Sequence, residues 1–176
     1  MNALAGENRV VITSTKSGYQ YNYARFGQYF SEAIGDPQAD LDKDGQTSLL
    51  EAYLLASSRV EEFYRQEARL ATESALLDDN GDGRGTPASW FRGVRAVKKP
   101  KGDALVDGIR AHQLHLVRSK TEEQMPPELR SRRDALENQL AQLRETKSQL
   151  DEDDYYQQLL PIMVELAKIY EAADSQ

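Results

Sequence analysis

Twelve residues, from Asp40 to Glu51, have the types and spacing of a metal-binding loop in this 176-residue chain. They match the calcium-loop pattern D-x-[DN]-x-[DN]-G-x5-E at each of its defined positions. Calcium is a hard cation that takes six to eight oxygen ligands, and alternate residues of such a loop supply them. The predicted ligands are Asp40, Asp42, Asp44, the backbone carbonyl of Gln46, Ser48 and the carboxylate of Glu51. The alternative interpretation is a solvated, aspartate-rich turn without an ion.

A second acidic stretch, Asp78–Gly85, matches only the first half of the same pattern. Its glycine stands at position 6, but position 12 holds Ser89 where the pattern requires glutamate. The candidate ligands for a second metal ion are Asp78, Asn80, Asp82 and Arg84. The residues leave two interpretations open, a weaker calcium site and a turn held by Asx hydrogen bonds.

The composition restricts the class of protein. The net charge is −7, which argues against a general nucleic-acid-binding protein. We find no apolar run of the roughly 18 residues that a membrane span needs, so no membrane partner is expected. The sequence lacks cysteine, which excludes disulfides, thiolate metal sites and a cysteine nucleophile within it. The N-terminus shows no export signal, so a cytoplasmic location is expected if Met1 is the true start.

The hydrophobic pattern predicts a mainly α-helical fold with a small β element. Val10–Thr15 is β-branched and apolar on both faces, which indicates a strand buried in a mostly parallel sheet. The run Val94–Val97 is a weak candidate for its partner. A helix is predicted from about Ala24 to Ile34, several residues before Asp40, so the loop is EF-hand-like rather than a regular EF-hand. A long central helix is predicted from about Ser48 to Ala75, joining the two acidic stretches.

The C-terminal third predicts an antiparallel helical hairpin. Leucines recur every seven residues after the boundary at Pro126 and Pro127, and Asp151–Asp154 separates that helix from an apolar-striped final one. The predicted organisation is 1–100 with the calcium loops, 101–125 as linker and helix, and 126–176 as the hairpin. We expect the hairpin to pack on the rest of the chain, on a second copy of it or on another protein.

The two histidines give a weak metal signal. His112 and His115 lie three residues apart, so on a helix they would share one face. Two histidines without a third ligand are a weak signal for zinc, and we expect them to pack at the surface or half-buried.

The N-terminal half resembles a family of cysteine peptidases. The stretch Leu4–Gly18 is similar to the segment after the nucleophile in caspase-like and legumain-like peptidases, and Phe26–Phe30 resembles the helix that follows it. Bacterial members carry acidic insertions like the two stretches described above. The resemblance covers about residues 4 to 95 and implies the C-terminal part of such a domain.

Catalysis in that family requires a cysteine thiolate and a histidine, and both would lie before Met1. We therefore predict no catalytic residue in this chain, which makes a non-catalytic protein more consistent with the sequence than an enzyme. The leading hypothesis is a calcium-binding protein in which Ca²⁺ plays a structural role. The alternatives are a truncated or degenerate caspase-like or legumain-like domain, and an assembly module that uses 126–176.

Overall fold

The computed structural model describes residues 1–19, 23–99, 101 and 106–174. The chain divides into two compact units, Met1–Arg118 and Ser119–Gln176. The prediction of a mainly helical chain with a small β element is confirmed. Residues 102–105, in the predicted linker, lie outside the described residues. Within the described residues, every helix is too short or too polar to cross a membrane.

The described residues of the first unit form three α-helices, one short 3₁₀ helix (Ala88–Trp90) and short antiparallel strands. In chain order its elements are β1 (Val11–Thr13), α1 (Phe26–Ala33), β2 (Thr47–Ser48), α2 (Leu49–Gln66), β3 (Leu76–Asp78), β4 (Thr86–Pro87), β5 (Phe91–Arg92), β6 (Arg95–Ala96), α3 (Ile109–Gln113) and β7 (His115–Val117). In the described part of the chain, the strands pair as β1-β3-β4, β2-β7 and β5-β6. The 40–51 loop therefore lies between α1 and α2 and overlaps the start of α2.

Helix α2 forms the centre of the core in this unit. Leu50 and Tyr53 project from it and are fully buried, and they cluster with Phe26 of α1 and Leu77 of β3. The Phe26 and Tyr53 ring centroids lie 5.9 Å apart in a tilted arrangement. The Tyr53 hydroxyl lies 3.0 Å from the carbonyl oxygen of Ala75, which precedes β3. The start of α2, where the acidic loop ends, is thus fixed to the core.

The predicted extent of the central helix was wrong at its C-terminal end. Helix α2 stops at Gln66 instead of continuing to Ala75. Ala68 adopts a left-handed conformation with φ 49°, and the N–H of Arg69 donates to the carbonyl of Tyr64 at 3.0 Å. This is the geometry of a Schellman C-cap, which usually carries glycine at the left-handed position. Because alanine also favours helices, Ala68 did not indicate from the sequence that the helix ends here.

The predicted parallel sheet was also wrong. β1 pairs antiparallel with β3, so that Val11 faces Asp78 and Thr13 faces Leu76. The proposed partner run, 94–97, instead contributes β6, which pairs with β5. Leu76 and Leu77 are not β-branched and have no strong strand preference. Their extended conformation comes from pairing on both sides, with β1 and with β4.

The second unit consists of α4 (Lys120–Gln124), α5 (Pro127–Thr146) and α6 (Glu152–Asp174). Next to the turn, the Lys147 ammonium lies 4.9 Å from the ring centroid of Tyr155. Farther from the turn, the side chain of Arg132 pairs with that of Glu165. These two pairs show that α5 and α6 run antiparallel. The buried apolar side chains of the described part of these two helices are Leu140, Leu143, Tyr155, Leu166, Ile169 and Ala173.

Candidate metal centre

Asp40, Asp42 and Asp44 converge at one end of the first loop. Each offers a carboxylate oxygen, and the three oxygens lie within 4.8 Å of one another. Two oxygens bound to the same Ca²⁺ ion lie at most about twice the 2.3–2.6 Å bond length apart. The spacing of the three carboxylates is thus compatible with a single metal ion.

The loop backbone holds the first of these carboxylates in place. The N–H groups of Asp44 and Gly45 donate to the two oxygens of Asp40 at 3.1 and 3.2 Å. Gly45 has φ 78°, a conformation that favours glycine, and Lys43 is also left-handed with φ 65°. The chain consequently folds back over Asp40, which leaves Asp42 and Asp44 exposed on the open side.

Gln46 fixes the carboxylate at position 5. Its backbone N–H and its side-chain Nε2 donate to the two oxygens of Asp44 at 2.9 and 2.8 Å. The side chain that follows the sharp turn is buried, with 8% of Gln46 exposed. Ligation by the Gln46 backbone carbonyl stays a prediction.

Ser48 and Glu51 form a capping box at the start of α2. The hydroxyl oxygen of Ser48 accepts the N–H of Glu51 at 3.2 Å, and the backbone N–H of Ser48 donates to Glu51 Oε2 at 2.8 Å. The other oxygen of Glu51 accepts the N–H of Leu41 at 2.8 Å. Both side chains are buried. The Glu51 carboxylate therefore joins the two ends of the loop, while ligation by Ser48 and Glu51 stays a prediction.

The exit strand of the loop pairs with a segment far along the chain. β2 is antiparallel to β7, and the N–H of Leu49 donates to the carbonyl of Leu114 at 2.8 Å. From α3, His112 Nε2 lies 2.9 Å from a carboxylate oxygen of Asp42. His112 and His115 do not share a helical face, because His112 belongs to α3 and His115 to β7.

The second acidic stretch repeats the backbone geometry of the first. Asp78 accepts the N–H of Gly83 at 2.9 Å, as Asp40 accepts that of the equivalent glycine. Gly81 and Gly83, at positions 4 and 6, have φ 81° and 75°. Asp82 accepts the N–H of Arg84 at 2.7 Å, which matches the position 5 to position 7 bond of the first loop. Metal binding by Asp78, Asn80, Asp82 and Arg84 stays a prediction.

Two buried carboxylates beside the second loop were missed by sequence reasoning. Asp79 accepts the N–H groups of Gly108 and Ala111 at 2.9 Å each, so it caps α3. Asp107 accepts the N–H of Asp79 at 3.1 Å and the hydroxyl of Thr86 at 2.5 Å. Asp79 follows directly after Asp78 in the sequence, whereas nothing local distinguishes Asp107. Through α3 and β7, the 107–117 segment contacts both acidic loops.

Burial, together with the neighbouring carboxylates of Asp79 and Asp78, raises the pKa of Asp107 to about 7, against the hydrogen bonds from Thr86 and from the Asp79 N–H, which lower it. An unfolded aspartate titrates near 3.9. Between these two values the folded chain holds a proton that the unfolded chain has lost. This contribution to stability is complete below about pH 4 and is lost as the pH rises through about 7.

We expect Asp107→Asn to remove that pH dependence, since asparagine mimics the protonated carboxyl. The free energy of unfolding, measured in urea with EDTA from pH 5 to pH 8, should fall more steeply for the wild type than for the variant, by up to about 1.4 kcal/mol per pH unit. Asp153→Asn, at an exposed aspartate in α6, is the control and should keep the wild-type profile. Parallel profiles for wild type and Asp107→Asn would contradict the assignment.

Comparison of the chain with family models, with curated proteins and with solved structures finds no match. The resemblance to caspase-like and legumain-like peptidases therefore stays a prediction.

Proposed function

We propose that this protein binds a calcium ion in the 40–51 loop and that the ion stabilises the first unit. The observation that carries the proposal is the convergence of three carboxylates within 4.8 Å. Three negative charges this close repel one another, and a divalent cation between them removes that repulsion. The proposed ligands are Asp40, Asp42, Asp44, Gln46, Ser48 and Glu51.

A structural role is supported by how firmly the loop is attached. Its end is the N-terminus of α2, whose side chains Leu50 and Tyr53 are fully buried in the core. Its exit strand pairs with β7 rather than with a second calcium loop. A sensor loop needs a neighbouring surface that opens on binding, whereas these contacts fix the loop to a packed core. We expect a dissociation constant of roughly 10⁻⁵ to 10⁻³ M, as in weak single sites.

The proposal is tested by thermal unfolding of the full chain with EDTA, with Mg²⁺ and with Ca²⁺. At about 10 mM Ca²⁺ an ion with this affinity adds roughly 1.4 to 4 kcal/mol to the free energy of unfolding, which raises the Tm by several degrees. Mg²⁺ should have a smaller effect because it demands a rigid octahedral site. Equal melting temperatures in EDTA and in Ca²⁺ would refute the proposal.

Two matched variants locate the ion. Asp44→Asn and Asp82→Asn each replace position 5 of one acidic loop, where both aspartates accept the N–H of position 7. Asp44→Asn should abolish most of the calcium-dependent shift, because it removes a charged ligand and keeps an acceptor oxygen. Asp82→Asn should leave the shift in place. The opposite pattern would assign the ion to the second loop and contradict the proposal.

A further inference from the structure

Helix α6 has two apolar faces, and only one of them is buried. Tyr155, Leu166, Ile169 and Ala173 are buried. On another side of the helix, the exposed fractions are 52% for Tyr156, 65% for Leu160, 45% for Met163, 43% for Val164 and 46% for Tyr170. Exposed apolar patches of this kind mark interaction surfaces.

The exposed residues follow the spacing of a coiled-coil seam. Tyr156, Leu160, Met163, Ala167 and Tyr170 are separated by four, three, four and three residues, and we call this set the α6 seam. A 4-3-4-3 spacing keeps side chains on one line along a helix, ready to face a partner helix. The charged residues nearby, Glu165 and Lys168, pair with each other at 2.7 Å and lie off that line. The five seam residues are themselves uncharged, and at one end the Tyr170 hydroxyl donates to Glu137 Oε1 of α5 at 3.2 Å.

We propose that the α6 seam is the contact surface between two copies of this chain, with the two α6 helices antiparallel. The order of side-chain sizes supports the antiparallel orientation of the pair. A two-fold axis near Met163 places Tyr156 of one copy opposite Tyr170 of the other, and Leu160 opposite Ala167. Leu160 of each copy then meets Ala167 of the other, so the one small residue of the seam is opposed by a larger one. A parallel pair would instead set Ala167 against Ala167 and leave a gap, which costs stability.

The area of the seam agrees with a weak dimer. A fully covered aromatic side chain buries about 150–250 Å², so the two half-exposed tyrosines offer on the order of 100 Å² each. With the aliphatic residues, each copy contributes on the order of 500 Å², or about 1,000 Å² for the pair, the lower limit for a specific interface. We expect a dissociation constant on the order of 10 to 100 µM. Neither acidic loop contributes to the seam, so EDTA and Ca²⁺ should give the same value.

Sedimentation equilibrium of the full chain, from about 1 µM to about 1 mM, tests the proposal. The wild type should shift from monomer to dimer over this range, and Leu160→Glu should stay monomeric throughout. Leu160 is mostly exposed in the single copy, so the variant should keep the wild-type circular dichroism; Met163→Glu provides a second variant. Gln158→Glu adds the same charge at an exposed residue outside the seam and should dimerise as the wild type does.

The orientation is tested by cross-linking, because the natural chain has no cysteine. A mixture of Leu160→Cys and Ala167→Cys chains should form mainly the mixed disulfide under mild oxidation. Predominant cross-linking of Leu160→Cys chains to each other would indicate a parallel pair and overturn the antiparallel arrangement. In the sedimentation experiment, a wild type that stays monomeric at all concentrations would overturn the proposal. A dimer that persists in both Leu160→Glu and Met163→Glu would overturn it as well. So would a monomer that co-sediments with phosphatidylcholine vesicles, since the seam would then bind lipid.

Discussion

Replacing Glu51 by glutamine should lower the stability of the first unit and remove most of its response to calcium. Glu51 is 1% exposed, and its carboxylate accepts hydrogen bonds from Leu41 and from both the N–H and the hydroxyl of Ser48. Glutamine keeps one acceptor oxygen, but its NH₂ group then faces the backbone N–H of either Leu41 or Ser48. A backbone N–H can only donate, so that N–H loses its acceptor. The expected loss is about 1 to 3 kcal/mol in EDTA, since buried groups are left unpaired.

Glu51→Gln should also reduce the rise in stability that calcium produces, for a separate reason. The variant loses a carboxylate that the calcium-loop pattern requires at position 12, and it loosens the link between the loop ends. The measurement is thermal unfolding in EDTA and in about 10 mM Ca²⁺, where a functioning site adds several degrees. Glu61→Gln, at an exposed glutamate of the same helix, is the control and should behave as the wild type. A full calcium shift in Glu51→Gln would show that this carboxylate neither binds the ion nor organises its site.

The second large effect is expected from Glu122 in the second unit. Its carboxylate pairs with both Nη atoms of Arg133, and only 3% and 4% of the two side chains are exposed. Arg130 Nε lies 2.9 Å from the same carboxylate. Removing the Glu122 carboxylate leaves Arg130 and Arg133 with less compensation, Asp134 Oδ1 staying 2.7 Å from Arg133 Nη2, and the loss of one member of a buried ion pair typically costs about 3 to 5 kcal/mol. Glu122→Gln should therefore destabilise the packing of α4 on the hairpin helices severely.

The measurement is urea unfolding followed by far-ultraviolet circular dichroism. Glu165→Gln is the control, because Glu165 pairs with the largely exposed Arg132 and such pairs contribute about 1 kcal/mol or less. The double variant Glu122→Leu/Arg133→Met removes both charges and should recover part of the lost stability, because Arg130 and Asp134 each lose one charged partner. Equal unfolding free energies for Glu122→Gln and Glu165→Gln would contradict the expected difference between buried and exposed pairs.

The outcome at the acidic loops shows what local patterns can specify. The spacing of Asp40, Asp42 and Asp44 around a glycine dictates a turn in which the side chains bond to nearby N–H groups. The structure brings those three carboxylates together. The second stretch has the same residues at positions 1, 5 and 6 and adopts the same left-handed glycine at position 6. Interactions over fewer than six residues determine such turns, so the sequence contains them completely.

Contacts at the same site between residues far apart in the chain could not be predicted from the local sequence. His112 lies 70 residues from Asp42 along the chain, yet its ring contacts the loop carboxylate. Asp107 is buried against Asp79 and Thr86, although nothing in its neighbours distinguishes it from a surface residue. β2 pairs with β7, whereas in paired EF-hands the corresponding strand pairs with that of another calcium loop. Each of these depends on how α3 docks on α2, which no short pattern describes.

The sequence by itself determined the mainly helical character, the acidic turns and the apolar stripe of α6, because periodicity and turn chemistry act within a few residues. Only the tertiary structure decided where α2 ends and which strand pairs with β1. The left-handed Ala68 and the extended Leu76–Asp78 segment both oppose local preference. They are maintained because backbone hydrogen bonds and packing outweigh a cost of about 1 to 2 kcal/mol for a left-handed alanine and of up to about 1 kcal/mol for strand propensity.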